Sequence, residues 1–199
     1  MAERKPSRVI DSTALHGLAH PLRVRLWDEL VVHGSATASM LARKLGESSG
    51  ATSYHLRQLE KHGFVEEDGE RGSGRERWWK SVEGGVTLRG HEMLDSPATR
   101  EAASLVLSEW HRGRINRLQH WQSTYMGWPK EWIDATVEST SHLRLTRDEL
   151  ASVRDELSEV LLTWADRVRG RKDPGLVDIE IQLNTFPVSN PEDLPEGGD

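Results

Sequence analysis

Residues 37–65, TASMLARKLGESSGATSYHLRQLEKHGFV, read as two short helices flanking a tight turn. Leu41 and Leu45, with Met40 beside them, set an apolar face at helical spacing in the first piece, and Leu56 and Leu59 do so in the second. Between them Gly46-Glu47-Ser48-Ser49-Gly50 gathers turn formers, and the Ser48 and Ser49 hydroxyls can cap the next helix by accepting backbone N–H bonds. The second helix leads with small and polar side chains, Ser49, Thr52, Ser53 and His55, and trails with the cations Arg57 and Lys61. Hydroxyls and an imidazole at the leading end suit base edges in a major groove, and trailing cations suit phosphates. By itself the stretch also fits a helical hairpin in a core with a solvated outer face.

The chain beyond it separates the two readings. Phe64-Val65 leads into a polar turn over residues 66–73, with Gly69, Gly72 and Gly74, and then into residues 75–82, where Trp78, Trp79 and Val82 are strand formers. That is a β-hairpin with a basic tip of Arg71, Arg75 and Arg77. Helix, turn, helix and basic hairpin is the order of a winged helix.

With these residues in view, the chain resembles the ArsR-type winged-helix transcriptional regulators over residues 18–82. The pattern "LAxPxRxRLxxxL" is matched by Leu18, Ala19, Pro21, Arg23, Arg25, Leu26 and Leu30. The pattern "LAxxLGxSxxxxSxHLxxLxxxGLV" is matched by Leu41, Ala42, Leu45, Gly46, Ser53, His55, Leu56, Leu59, Gly63 and Val65, with Phe64 in place of the usual leucine. The resemblance covers about the first two fifths of the chain and implies a DNA-binding regulator. In metal-sensing members the helix after the wing carries spaced ligands and the dimer contact. Here that helix offers His111 and His120, which nine residues at ~100° each turn to opposite sides. Cysteines in the helix before the recognition helix are replaced by LARKLG. The metal-sensing residues therefore do not carry over, and the resemblance is to a non-metal-sensing branch.

Composition sets the outer bounds. The 199 residues allow one large domain or two small ones. There is no cysteine, which excludes disulfides, thiolate metal sites and cysteine nucleophiles. No apolar run approaches the ~20 residues that cross a bilayer, and the start lacks the apolar segment of a signal peptide, so a cytoplasmic protein is expected. The net charge of −6 is unevenly spread: residues 1–82 hold 13 basic and 11 acidic side chains, the remainder 13 and 21. A slightly basic reader joined to an acidic body suits DNA binding with few phosphate contacts.

The expected architecture is α+β: a winged helix over residues 1–84, a dimerisation or effector body over 85–187, and a disordered tail over 188–199. Residues 1–10 read as a loose polar arm, and Gly84-Gly85 as the hinge. A long helix from about Ser96-Pro97 to Tyr125 presents Leu105, Val106, Trp110, Leu118, Trp121 and Tyr125 along one side. Thr146 with Glu149 forms a capping box for a helix carrying Leu150, Val153, Leu157, Val160, Leu161, Trp164 and Val168. Residues 138–145 and the alternating VDIEIQLN of 177–184 read as strands around that helix, a small βαβ unit needing a third surface.

Trp110, Leu118, Trp121, Tyr125 and Trp164 are the candidate dimer or effector residues, the effector being a small apolar or aromatic molecule. The same aromatics equally suit a core. His16 and His20, four apart, lack a carboxylate to complete a metal set, so no metal or cofactor is expected. No phosphate-cradling glycine loop, HExxH or GxSxG is present, which argues against an enzyme. The reading is a dimeric DNA-binding repressor on an operator of double-stranded DNA. Its competitor is a winged-helix protein-interaction module without direct DNA binding.

Overall fold

A computed structural model describes residues 8–71, 76–82, 86–87, 90–171, 173–190 and 192. Arg75, the hinge at Gly84-Gly85 and most of the 188–199 tail lie outside the described residues. The chain divides into two compact units, Met1–Ile133 and Asp134–Asp199.

The first unit opens with β1 (Arg8–Val9) and α1 (Ser12–Leu18), followed by α2 (Pro21–His33), β2 (Ala36–Thr37), α3 (Ala38–Leu45) and α4 (Ser49–Lys61). Local chemistry sets these boundaries. The Asp11 carboxylate accepts from the Ala14 N–H at 2.7 Å to start α1. Pro21 occupies the first turn of α2, where its missing N–H costs nothing. Thr37 caps α3, and Gly46 ends it in the left-handed region at φ 69°, where a Cβ would be strained. Ser48 then accepts from the Ala51 N–H at 3.1 Å and starts α4 two residues later.

After α4 come β3 (Val65–Glu67), β4 (Trp78–Ser81), β5 (Val86–Thr87), α5 (Gly90–Asp95), α6 (Arg100–Thr124), a 3-10 turn (Tyr125–Gly127) and α7 (Lys130–Asp134). β2, β4 and β3 form an antiparallel sheet in that order, with Ala36 opposite Trp79 and Glu66 opposite Lys80. β1 pairs in parallel with β5. The first ten residues are therefore not wholly a loose arm: Arg8 and Val9 are in a ladder and Ile10 is buried.

The core is a single cluster of Leu15, Leu18, Leu22, Leu26 and Leu30 with Leu41, Leu56, Leu59, Phe64, Val65 and Trp79. Each fully buried leucine contributes on the order of 2 kcal/mol. Ala102, Ala103 and Val106 of α6 belong to this same cluster, with Leu105 and Trp110 packed on its edge. Small residues there let α6 lie close to α2, so the long helix completes the winged-helix core instead of opening a separate body at residue 85.

The second unit contains α8 (Arg147–Val168), started by a capping box in which the Thr146 N–H donates to Glu149 at 2.8 Å. No residue of α8 is buried. Residues 138–145 and 177–184 are not strands, so the expected βαβ unit is not formed. Ile179 and Ile181 remain 67% and 65% exposed. Two strands without a third surface cannot bury an apolar face well enough to offset chain ordering, and alternation of side chains does not supply that surface.

Candidate nucleic-acid interface

Thr52, Leu56 and Leu59 form the inner stripe of α4, all fully buried. At ~100° per residue the opposite face passes through Gly50, Tyr54, Arg57 and Lys61, with Ser53 to one side and Ser49 in the open first turn nearer the stripe. Gly50, Tyr54, Arg57, Lys61, Ser48 and Ser49 are exposed and Ser53 is half-buried. Thr52, a base-edge candidate from sequence, is instead fully buried, about 200° round the helix from Tyr54. Its hydroxyl has no hydrogen-bond partner among the described residues. Tyr54 is the most outward large side chain of the helix, 56% exposed, and was not among the residues singled out from sequence. Counting from the buried leucines back along the helix would have found it.

His55 lies at the flank between these faces. Its ring stacks on His20 with centroids 4.3 Å apart and meets Tyr54 edge-on at 5.1 Å. His20 caps α2, its Nδ1 accepting from the Leu22 N–H at 3.1 Å, which requires a neutral ring with the proton on Nε2. Burial, then the guanidinium groups of Arg23 and Arg25, hold His20 below the usual histidine value, with Glu47 opposing. Burial, then His20 and Arg23, do the same to His55. Arg25 in turn pairs with Glu47 at 3.0 Å, tying α2 to the turn before α4.

The wing is anchored at its base. Asp68, 6% exposed, accepts from the Ser35 hydroxyl at 2.5 Å and from the Glu70 N–H at 3.3 Å. The Ser35 bond, aided by that of Glu70, holds its carboxyl below the usual aspartate value against the opposing effect of burial. Arg71 is exposed and lies over the Trp78 ring at 5.5 Å. Arg77 approaches Glu67 at 3.6 Å, and Lys80 approaches Glu66 at 3.4 Å, so the wing is less basic than its arginines alone suggest. Arg57 and Lys61 have no ion pair among the described residues.

The aromatic candidates separate into three groups. Trp110 packs on Trp27 of α2 at 5.5 Å, with its indole N–H buried, and is a core-edge residue of its own chain. Leu118 and Tyr125 are each 39% exposed, and Trp121 heads a run of rings to Tyr125 and Trp128 and on to Trp132, each step about 6 Å. Trp164, in the second unit, is 55% exposed beneath the Arg167 guanidinium. Among the described residues, two concavities, one on α6 by Pro97 and Leu105 and one on α8 by Val160 and Trp164, are open to solvent. No three His, Asp or Glu side chains come together there to hold a metal, and no described helix is long and apolar enough to cross a membrane.

Residues 18–68 match a family described as a helix-turn-helix domain. No curated protein matches the chain. Among solved structures it is similar to the transcriptional repressor BigR from Xylella fastidiosa, at 23% identity over 50% of this chain and 82% of that one, TM-score 0.34. It is also similar to apo MarR from E. coli, at 18% identity over 75% and 89% of the two chains, TM-score 0.30. A mutant of Lactococcus lactis ZitR in its apo form is 14% identical over 76% and 90%, TM-score 0.30. The chain carries a winged helix-turn-helix domain, followed by a long helix.

Proposed function

We propose that this protein is a sequence-specific, DNA-binding transcriptional regulator. In this reading it acts in the cytoplasm as a homodimer and represses by occupying its operator. The observation that carries the reading is the exposure of Ser49, Tyr54, Arg57 and Lys61 on α4, with Ser53 half-buried among them. In this reading Ser49, Ser53 and Tyr54 meet base edges and Arg57 and Lys61 meet phosphates. Ser48, His55, Arg71, Arg75 and Arg77 complete the proposed contact set, the arginines bracing on phosphate or the minor groove. Two copies would meet half-sites about one helical turn, ~34–36 Å, apart or a multiple of that. The half-exposed run Leu118, Trp121 and Tyr125 supports a partner surface on α6, which this reading gives to the second copy. A small apolar or aromatic effector bound beside that run would release the DNA.

Selection from a random duplex library, followed by titration at several salt concentrations, tests this. A recovered pseudo-palindrome bound with a negative salt slope is the expected result. The protein-interaction reading draws on one observation, the pairing of wing cations with Glu66 and Glu67. Recovery of no sequence, with no salt-dependent binding to any duplex, favours that reading and overturns ours.

A further inference from the structure

The only link between the base-facing side of α4 and the start of α2 that runs through titratable rings, among the described residues, is the stack His20–His55–Tyr54. His20 has three roles at once. It caps α2 through Nδ1, it carries the ring on which His55 rests, and through His55 it backs the ring of Tyr54. The groups facing the pair are Arg23 and Arg25 from α2, Glu47 from the turn after α3, and Tyr54 from α4. Arg23 is held over the end of α1 by bonds to the His16 and Ala19 carbonyls at 3.3 and 3.4 Å. Its Nε and the His55 Nδ1 are both buried without partners among the described residues. The pair therefore sits among more cationic than anionic neighbours, with no acceptor arranged for an added proton.

We propose that His20 is a positioning residue for sequence readout, bracing the recognition helix through His55, and that protonation of the pair releases the brace. This rests on the DNA-binding reading above. The chemistry is one proton taken from solvent. When it adds at Nδ1 of His20, that nitrogen becomes a donor and can no longer accept from the Leu22 N–H. The α2 cap is lost, and a cation faces the neighbouring imidazole and two guanidinium groups. Tyr54 then loses its backing ring, while the phosphates nearest the pair meet one more positive charge. Binding to arbitrary DNA strengthens or holds as discrimination between sequences falls. Burial keeps both imidazoles below the usual histidine value, helped by Arg23 and Arg25 at His20 and by His20 and Arg23 at His55, so the brace is intact at neutral pH.

The experiment uses the full chain with two duplexes, the sequence recovered by selection and a random one, at fixed salt. The ratio of their dissociation constants is followed from about pH 7.5 down to about pH 4.5, well below the ordinary histidine value of about 6.5, because both imidazoles titrate below it. For wild type a fall of about fivefold in that ratio is expected as Tyr54 loses its backing. The double variant His20→Asn with His55→Gln keeps a side-chain acceptor at the cap but cannot titrate, and its ratio is expected to be flat. His20→Asn alone, which retains the cap, guards against misfolding of the double variant. Imidazole resonances of the DNA-free protein should titrate in two coupled steps that both rings sense, below the ordinary histidine value. A flat ratio in wild type, an equal fall in the double variant, or independent titration near the ordinary value overturns the proposal. So does a wild type already unfolded at the lower pH by urea titration. Absence of discrimination at neutral pH instead overturns the DNA-binding reading, while the imidazole titration still reports whether the pair is coupled.

Discussion

At the scale of single residues, Thr52 and Tyr54 show how far helical phase outweighs residue type. Thr52 has the residue type of a base reader and Tyr54 is not among the residues singled out from sequence, yet Thr52 is fully buried and Tyr54 is exposed. Replacing Thr52 by Val removes a buried hydroxyl that has no partner, so stability should be unchanged or rise by up to ~1 kcal/mol. Operator preference should not change; a shift in the recovered sequence for that variant would return Thr52 to the interface. Tyr54→Ala should relax sequence choice, whereas Arg57→Ala should weaken binding to all duplexes and reduce the salt slope by about one. The histidine pair also has a consequence for the free protein. Both folded-state values are depressed, so the unfolded chain binds protons more readily and stability rises with pH across the window. Stability is fully present above the ordinary value of about 6.5 and is lost as pH falls through the lower folded values. Urea midpoints across that range should fall on acidification in wild type and less so in His20→Asn, which removes one of the two groups.

At the scale of elements, the helices were legible because their ends carry their own chemistry. Asp11, Thr37, Ser48 and Thr146 all accept the backbone bond their positions in sequence suggest. Apolar spacing of Leu56 and Leu59 placed α4, and the turn glycines placed the wing between β3 and β4. The strands expected at 138–145 and 177–184 failed for a different reason. Alternation says that one face could be buried, but not that anything is there to bury it. The proposed contact face on α4 was half-legible: Ser49, Ser53, Arg57 and Lys61 follow from order along the chain, while Tyr54 needed the phase set by the buried leucines. The link from His20 to His55 joins residues 35 positions apart and leaves no local signature. Gly46 offers a test of the turn itself. Gly46→Ala places a Cβ at φ 69° and should cost on the order of 1 kcal/mol, read as a lower urea midpoint.

At the scale of the whole molecule, the compact first unit runs to Ile133, so a chain cut near residue 82 lacks Ala102, Ala103 and Val106 of the core. Such a fragment should unfold without a cooperative transition, whereas one ending at residue 133 should unfold cooperatively. Sedimentation of the full chain addresses the proposed dimer: Leu118→Glu and Trp121→Glu should yield folded monomers with weakened operator binding. Trp110→Glu should instead destabilise the monomer, because it drives a charge against Trp27. A monomeric wild type that still bound a two-half-site operator tightly would remove the dimer from the account. The Trp27–Trp110 contact has a further use. Two indoles 5.5 Å apart and inclined at 38° are close enough for their excited states to mix. That mixing should produce a paired positive and negative band in the ultraviolet circular dichroism of the native protein. Either single Trp→Phe change should remove this pair's share of the band and leave that of the Trp121, Trp128 and Trp132 run. The difference spectrum is then a label-free optical signal for the docking of α6 on α2.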